Sequence, residues 1–332
     1  MKMTHSLLRS PSRGRRIPPV PARNRPWAPG FLLVALCAAA VVPMLHGQRR
    51  ESSPLTDEQK KVMDAALPKQ APAQPKKTRK MLVSNFRLRD GKPAQGPDST
   101  PFGNYVIEQM GKRTGAYEAV FSDDVETFRP GAIQQFDAIC FNNTAGVLFD
   151  DPERRESLLN FIAGGKGFVG IHDALATFVQ YPVYDQWPAF GRMLGGTENG
   201  GHPWQAHEVL HIKIDDPESP LNAVFQGRGF EVTSQAFQLQ EPGDLRERLS
   251  VLLSIDIAKM SLEGRRIFPA RQQDKDFPVS WIKPHAKGRV YYTTMGHNPH
   301  IFWQANLLEH LLAGIQYALG DLQADDTPSA RR

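Results

Sequence analysis

Residues 207–211 read His-Glu-Val-Leu-His, the H-E-x-x-H pattern of zinc metalloproteases. In that chemistry His207 and His211 would hold Zn²⁺ while Glu208 activates water. The pattern works only on a helix, where positions i and i+4 share a face. Here Leu210, Ile212 and Ile214 alternate with His211 and Lys213, a period of two that predicts a strand. Upstream, GGTENGGHP (195–203) cannot lead a long helix, and Asp215-Asp216-Pro217 ends the alternation. Four strand steps of roughly 3.3 Å put the two imidazoles about 13 Å apart, too far to share one ion. The protease reading is therefore disfavoured.

A different set of residues falls just past predicted strands, where open α/β sheets bind their ligands. Asn142 and Asn143 follow FDAIC, His172 and Asp173 follow GKGFVGI, and His297 and Asn298 follow GRVYYTTMG. His202 and Trp204 sit in or beside the Gly-rich loop and can reach the same edge. His172 and His297 are candidate acid/base residues. With His202 they are also candidate ligands for zinc or a similar divalent ion, since neutral imidazole suits such metals. Asn142, Asn143, Asp173, His202, Trp204 and Asn298 are candidate substrate contacts. For His172 a structural role, bonded to backbone, is an equal alternative. Gly170-Ile171-His172-Asp173-Ala174 has the shape of a nucleophile elbow without its Ser or Cys, so an acyl-enzyme has no obvious nucleophile. Cys140 lies inside the apolar FDAICF and is expected to be buried. No nucleotide cofactor is expected.

The elements that must position these residues are legible as short apolar strands alternating with helices. Strands are expected over 81–86, 116–121, 136–143 and 165–174. A helix should run from Thr100-Pro101 to about Thr114, stopped by Gly115, and another from the Asp151-Pro152 cap to Gly164-Gly165. This alternation predicts an α/β fold with a mostly parallel sheet covered by helices on both faces. The second half is richer in β: HEVLHIKI, EVTSQAFQL, LSVLLSID, PVSWIKP and GRVYYTTM, then a last helix from about Phe302 to Leu319.

Charge is unevenly placed. The chain of 332 residues has a formal net charge of +5, but residues 1–50 hold nine Lys/Arg and no acid, leaving 31 basic against 35 acidic residues beyond them. A mildly acidic body gives nucleic-acid binding no electrostatic support. The basic leader ahead of FLLVALCAAAVVPML (31–45) reads as a signal peptide or an N-terminal transmembrane helix. Export to the periplasm or cell envelope follows, with membrane contact only through that segment. Cys37 lies in the leader, so the body has one cysteine and no internal disulfide. The expected organisation is a leader over 1–48, a Pro/Ala/Lys linker with a possible short helix over 49–80, a body over 81–319 and a disordered tail over 320–332.

GKGFVGIHDA, LGGTENGGHPWQ and PVSWIKPHAKGRVYYTTMGHNP resemble, in order, segments of the trehalose-utilisation (ThuA-like) family. In the last, Pro278, Trp281, Gly288-Arg289-Val290 and Gly296-His297 carry the likeness, which spans about 80–318. The resemblance implies a flavodoxin-like, class I glutamine-amidotransferase-like domain that lacks the amidotransferase cysteine. It also implies a link to carbohydrate catabolism, of trehalose or keto-disaccharide type, with a sugar held at a His-lined crevice by a hydrolase or isomerase-type enzyme. Two departures stand out. Where the family usually has an acidic pair and a Tyr, this chain has Ser234, Gln235 and Phe237, and a common His-Pro is Ser219-Pro220. The alternative they raise is a non-catalytic envelope domain that binds carbohydrate or protein.

Overall fold

A computed structural model describes residues 54–180, 184–198, 201–239 and 244–332. The leader, with its apolar run, lies outside the described residues. Among the described residues, no helix is long and apolar enough to cross a membrane.

Nine strands form the main sheet: β1 Lys80–Ser84, β2 Glu118–Phe121, β3 Ala138–Asn142, β4 Gly167–Ile171, β5 Val209–Ile214, β6 Phe230–Thr233, β7 Ser250–Ile255, β8 Pro278–His285 and β9 Gly288–Thr293. Their order is β6-β5-β7-β8-β9-β4-β3-β1-β2. From β2 to β9 through β1, β3 and β4 every pairing is parallel, and from β9 to β6 every pairing is antiparallel. The parallel half thus has the 2-1-3-4-then-last order of flavodoxin-like folds, whose ligand crevice opens where β1 and β3 diverge.

Side chains alternate across this sheet because strand residues point to opposite faces. Met81, Val83, Cys140, Val169 and Ile171 enter one core cluster, and Leu82, Ile139, Phe141 and Phe168 enter the other. Helix α2 (Thr100–Thr114) and the C-terminal helix (Ala305–Leu319) cover the first face through Val106, Ile107, Met110, Leu308 and Leu311. Helix α3 (Pro152–Ala163) and the short helix Pro188–Leu194 cover the second through Leu158, Phe161, Ile162, Phe190 and Met193. The C-terminal helix lies so close to β9 that a Cβ at Gly314 would meet the Tyr291 ring at 2.4 Å.

The helix signals hold at the predicted places. Gly115 ends α2 at φ 67°, and Asp151 caps α3 by accepting from the Arg154 N–H. The cap of α2 is Ser99, one residue earlier than expected, and its hydroxyl donates at 2.6 Å to the Gly296 carbonyl rather than to its own helix. The last helix starts at Ala305, because Pro299–Trp303 forms a separate 3₁₀ turn.

Three expectations need correction. β5 begins at Val209, so His207 and Glu208 occupy the turn before it rather than the strand. Glu208 pairs with Arg265, and His211 Nδ1 lies 3.2 Å from Glu231 on β6, so the protease-like residues are not assembled on a helix. Second, the linker is strapped to the body. Helix α1 (Asp57–Ala66) carries a full capping box at Thr56 and Gln59. Beyond it, Ala73 exchanges hydrogen bonds with Gln316 at 2.8 and 2.7 Å, and Lys76 N and Arg79 Nε donate to the buried Asp321 at 3.0 and 2.9 Å. Third, residues 320–332 are packed: Ser329 N donates to the Leu249 carbonyl and Tyr317 OH donates to Asp326. Composition suggested solvated segments because the cations of one and the acids of the other are far apart in sequence.

Candidate functional site

At the carboxyl ends of β3 and β4 the chain turns sharply. Asn143 and His172 both take left-handed backbone, with φ 59° and 46°. Such conformations strain a non-glycine residue and persist where the surroundings over-determine them. The surroundings here are specific. Asn143 N donates to the Ile171 carbonyl at 3.2 Å, joining the two turns. Arg87, in the loop after β1, donates Nη1 to the Asn143 carbonyl at 2.8 Å and to the Asp173 carboxylate. The exit of β9 passes alongside: a Cβ at Gly296 would lie 2.5 Å from Ile171 Cγ2, so only glycine fits.

His172 is fully buried. Its Nδ1 lies 3.0 Å from the Thr294 carbonyl, which can only accept, so Nδ1 carries the proton and Nε2 presents a lone pair. That Nε2 has no hydrogen-bond partner, although Asp173 Oδ1 is 3.3 Å away. The ring stacks on Phe237 with centroids 4.6 Å apart and meets His297 edge-on at 5.0 Å. Burial lowers its pKa to about 4 against the opposing pull of Asp173, so the imidazole is neutral at physiological pH. For Asp173, burial opposes ionisation, but the Arg87 guanidinium that donates to it holds the carboxyl below its ordinary value.

His297 is oriented by its neighbour. The Asn298 amide donates to the Ala206 and Thr233 carbonyls at 2.8 and 3.2 Å, which fixes its Oδ1 as the acceptor for His297 Nδ1 at 2.8 Å. The Nε2 of His297 is therefore the lone-pair atom.

These residues border a crevice of about 540 Å³ lined by Arg87, Asp173, Glu198, His202, Gln235 and His297, among others. Of the residues expected from sequence, Asp173, His202 and His297 line it. His172 lies beneath, reaching the crevice only through its neighbours. The Asn142 amide donates to Asn104 Oδ1 at 2.9 Å and to the Thr100 carbonyl at 3.3 Å, so it anchors α2 rather than facing the crevice. Asn143 and Asn298 act as supports in the bonds already described. Trp204, a candidate substrate contact, is instead fully buried, with Phe277 edge-on at 4.8 Å and Arg265 over its ring. Cys140 is buried as expected, and burial pushes its thiol pKa up.

Among the described residues, no group of three or more His, Cys, Asp or Glu side chains is placed to hold a metal ion. His172, His202 and His297 gather at one rim without forming such a set.

Arg87 and Glu198 also line the crevice without having been singled out as site residues from sequence. Arg87 was visible only as a loop cation, and its pairing with Asp173 spans 86 positions. Glu198 stands in the Gly-rich loop, 3% exposed, and accepts from Gly201 N at 2.9 Å. A lone acid inside a glycine-rich stretch was the available signal.

A ThuA-like protein of Bacteroides uniformis has a similar structure, with TM-score 0.55 and 17% identity, over 78% of this chain and 99% of that one. A ThuA-like protein of Parabacteroides merdae aligns with TM-score 0.47 and 14% identity, over 76% and 95%. At such identities the first likeness shows the fold alone. No curated protein matches the sequence. A family model described as trehalose utilisation matches residues 90–318, well over half of the chain. With that match, the parallel-to-antiparallel sheet and the strand-end crevice, the chain belongs to the ThuA trehalose-utilisation family.

Proposed function

We propose that the crevice binds a sugar of the trehalose or keto-disaccharide type and that His297 acts on it as the acid/base group. The observation that carries this reading is the 2.8 Å contact of His297 Nδ1 with Asn298 Oδ1: with Nδ1 committed there, Nε2 is left to take a proton from a hydroxyl and return it. Asp173, kept ionised beside Arg87, supplies an acceptor for a second hydroxyl. His172 supports the site from below as a neutral ring against His297 and Phe237. No hydroxyl or thiol occupies the elbow, so the reading invokes proton transfer rather than an acyl intermediate.

A second reading, binding without catalysis, is favoured by Gln235, an uncharged residue lining the crevice where family members usually carry an acid. Zinc is proposed only as an alternative occupant: His172 Nε2 and His202 Nδ1 are buried without hydrogen-bond partners, but the three imidazoles would have to rearrange to bind one ion together. Export through the basic leader and apolar segment 31–45 belongs to the same proposal.

Calorimetric titration with trehalose and its keto derivative, combined with product analysis, separates these. Turnover that His297→Asn abolishes while binding persists supports the enzyme. Wild-type binding without turnover supports the second reading, and no binding of either sugar removes both. Stoichiometric zinc that His202→Ala lowers would establish the metal, and fractionation of cells expressing the full chain tests export.

A further inference from the structure

Between β1 and α2 the chain makes a two-stranded hairpin, Leu88–Arg89 against Lys92–Pro93. Its tip is Asp90-Gly91, with φ 52° and 71°, the two successive left-handed residues that a type I′ turn demands. The base of the hairpin is fixed by several contacts. Leu88 N donates to the Ala145 carbonyl at 2.8 Å, and Ala94 N donates to the Arg87 carbonyl at 3.1 Å. Gly146 lets the two backbones meet, since a Cβ there would sit 2.0 Å from the Leu88 oxygen. Arg87 roots the same segment to Asp173 and the Asn143 carbonyl. The hairpin is therefore a standing wall, positioned from the same contacts that set the inner site.

That wall is part of the crevice. Asp173, His202 and His297 line one part of it, while Leu88 to Gly91 and Ala94 to Pro97 line another. The hairpin side carries its own polar groups: Arg89, Asp90 and Gln95, all exposed. Together they offer guanidinium donors, a carboxylate acceptor and an amide that can do both. A volume of about 540 Å³ falls inside the range of ~300–1,000 Å³ that encloses a drug-sized ligand, and a single hexose is smaller than such a ligand.

We propose that the hairpin forms the subsite for the second sugar unit of that disaccharide. One unit sits at His297, and the other is read by Arg89, Asp90 and Gln95. This inference rests on the disaccharide reading above and adds where the second unit sits and the residues that select for it. Arg89 and Gln95 are the specificity-determining pair to vary, because Asp90 also shapes the turn.

The test uses the full-length protein, titrated with glucose as the one-unit probe and with trehalose, maltose and cellobiose as two-unit probes. At least one disaccharide should bind tenfold or more tighter than glucose. In Arg89→Ala combined with Gln95→Ala, that preference should collapse several-fold or more, with the melting temperature close to wild type because both side chains are exposed. Each single variant should show part of the same loss. A preference unchanged in the double variant overturns the hairpin subsite and leaves the disaccharide reading standing, whereas equal affinity for glucose and every disaccharide overturns the subsite and the disaccharide type together. Failure of every sugar to bind at millimolar concentration overturns both.

Discussion

Replacing Arg87 with Met removes a charge while keeping much of the side-chain volume, and it tests the electrostatics of the strand-end turns directly. The Arg87 and Asp173 side chains are 16% and 12% exposed. An exposed ion pair would contribute about 0–1 kcal/mol, whereas removing one partner of a buried pair costs ~3–5 kcal/mol. At these exposures a loss of about 3 kcal/mol is expected, since the variant leaves a nearly buried carboxylate without its cation and the Asn143 carbonyl without its donor. The sign with pH follows from Asp173. Its folded pKa is below its ordinary value, so its contribution is fully present above the unfolded value of about 3.9 and disappears as pH falls through the folded value. Urea denaturation should thus show the full difference between wild type and Arg87→Met at pH 7, shrinking as pH is lowered below about 4. Adding Asp173→Asn should recover part of the loss, giving a coupling energy of about 1–3 kcal/mol in the double-mutant cycle. A loss under about 1 kcal/mol at pH 7, an equal loss at acid pH, or strict additivity would refute the electrostatic account.

Arg79→Ala should destabilise the protein by about 3 kcal/mol in urea, because Asp321 is buried and receives this guanidinium; wild-type stability would mean the strap is incidental. Gly296→Ala should lower the melting temperature and weaken sugar binding, since its methyl group would collide with Ile171 beside His172; an unchanged melt and titration would show that the two exits can move apart freely. Asn298→Ala leaves the Ala206 and Thr233 carbonyls and His297 Nδ1 without their partner, a cost of about 1–3 kcal/mol, and should reduce turnover more than affinity; equal effects on both would argue against a role in orienting His297.

The parallel half of the fold was legible because its inner strands β1, β3 and β4 are buried on both faces and its helices are punctuated by residues with one physical use. Gly115 supplies left-handed backbone, and Asp151-Pro152 supplies a cap and a missing N–H. The strand-end rule then found Asp173 and His297 without knowledge of any partner. Burial of individual side chains was harder to read. His172 and Asp173 are adjacent, yet one lies beneath the crevice and the other lines it, a difference set by Phe237, which joins from 65 residues later. Trp204 was hard to place for the same reason: an aromatic beside a Gly-rich loop has no local signature separating an open ring face from one covered by Phe277 and Arg265. The strap escaped notice because pairs such as Arg79 with Asp321 are separated by 242 positions.

The position of β9 has a consequence for biosynthesis. It is the last strand to leave the ribosome, yet it lies between β4 and β8 in the middle of the sheet. Until Gly288–Thr293 has been made, β4 has an open flank, and the register Val169↔Tyr291 cannot form. Neither half of the chain can therefore mature alone, and a nascent polypeptide halted before residue 288 would expose Phe168 and Val169 edge-on to solvent, an invitation to aggregation or chaperone capture. Closing a pairing across so long an intervening segment also makes for slow folding. Splitting the gene between β4 and β5 should yield fragments that regain structure only when brought back together.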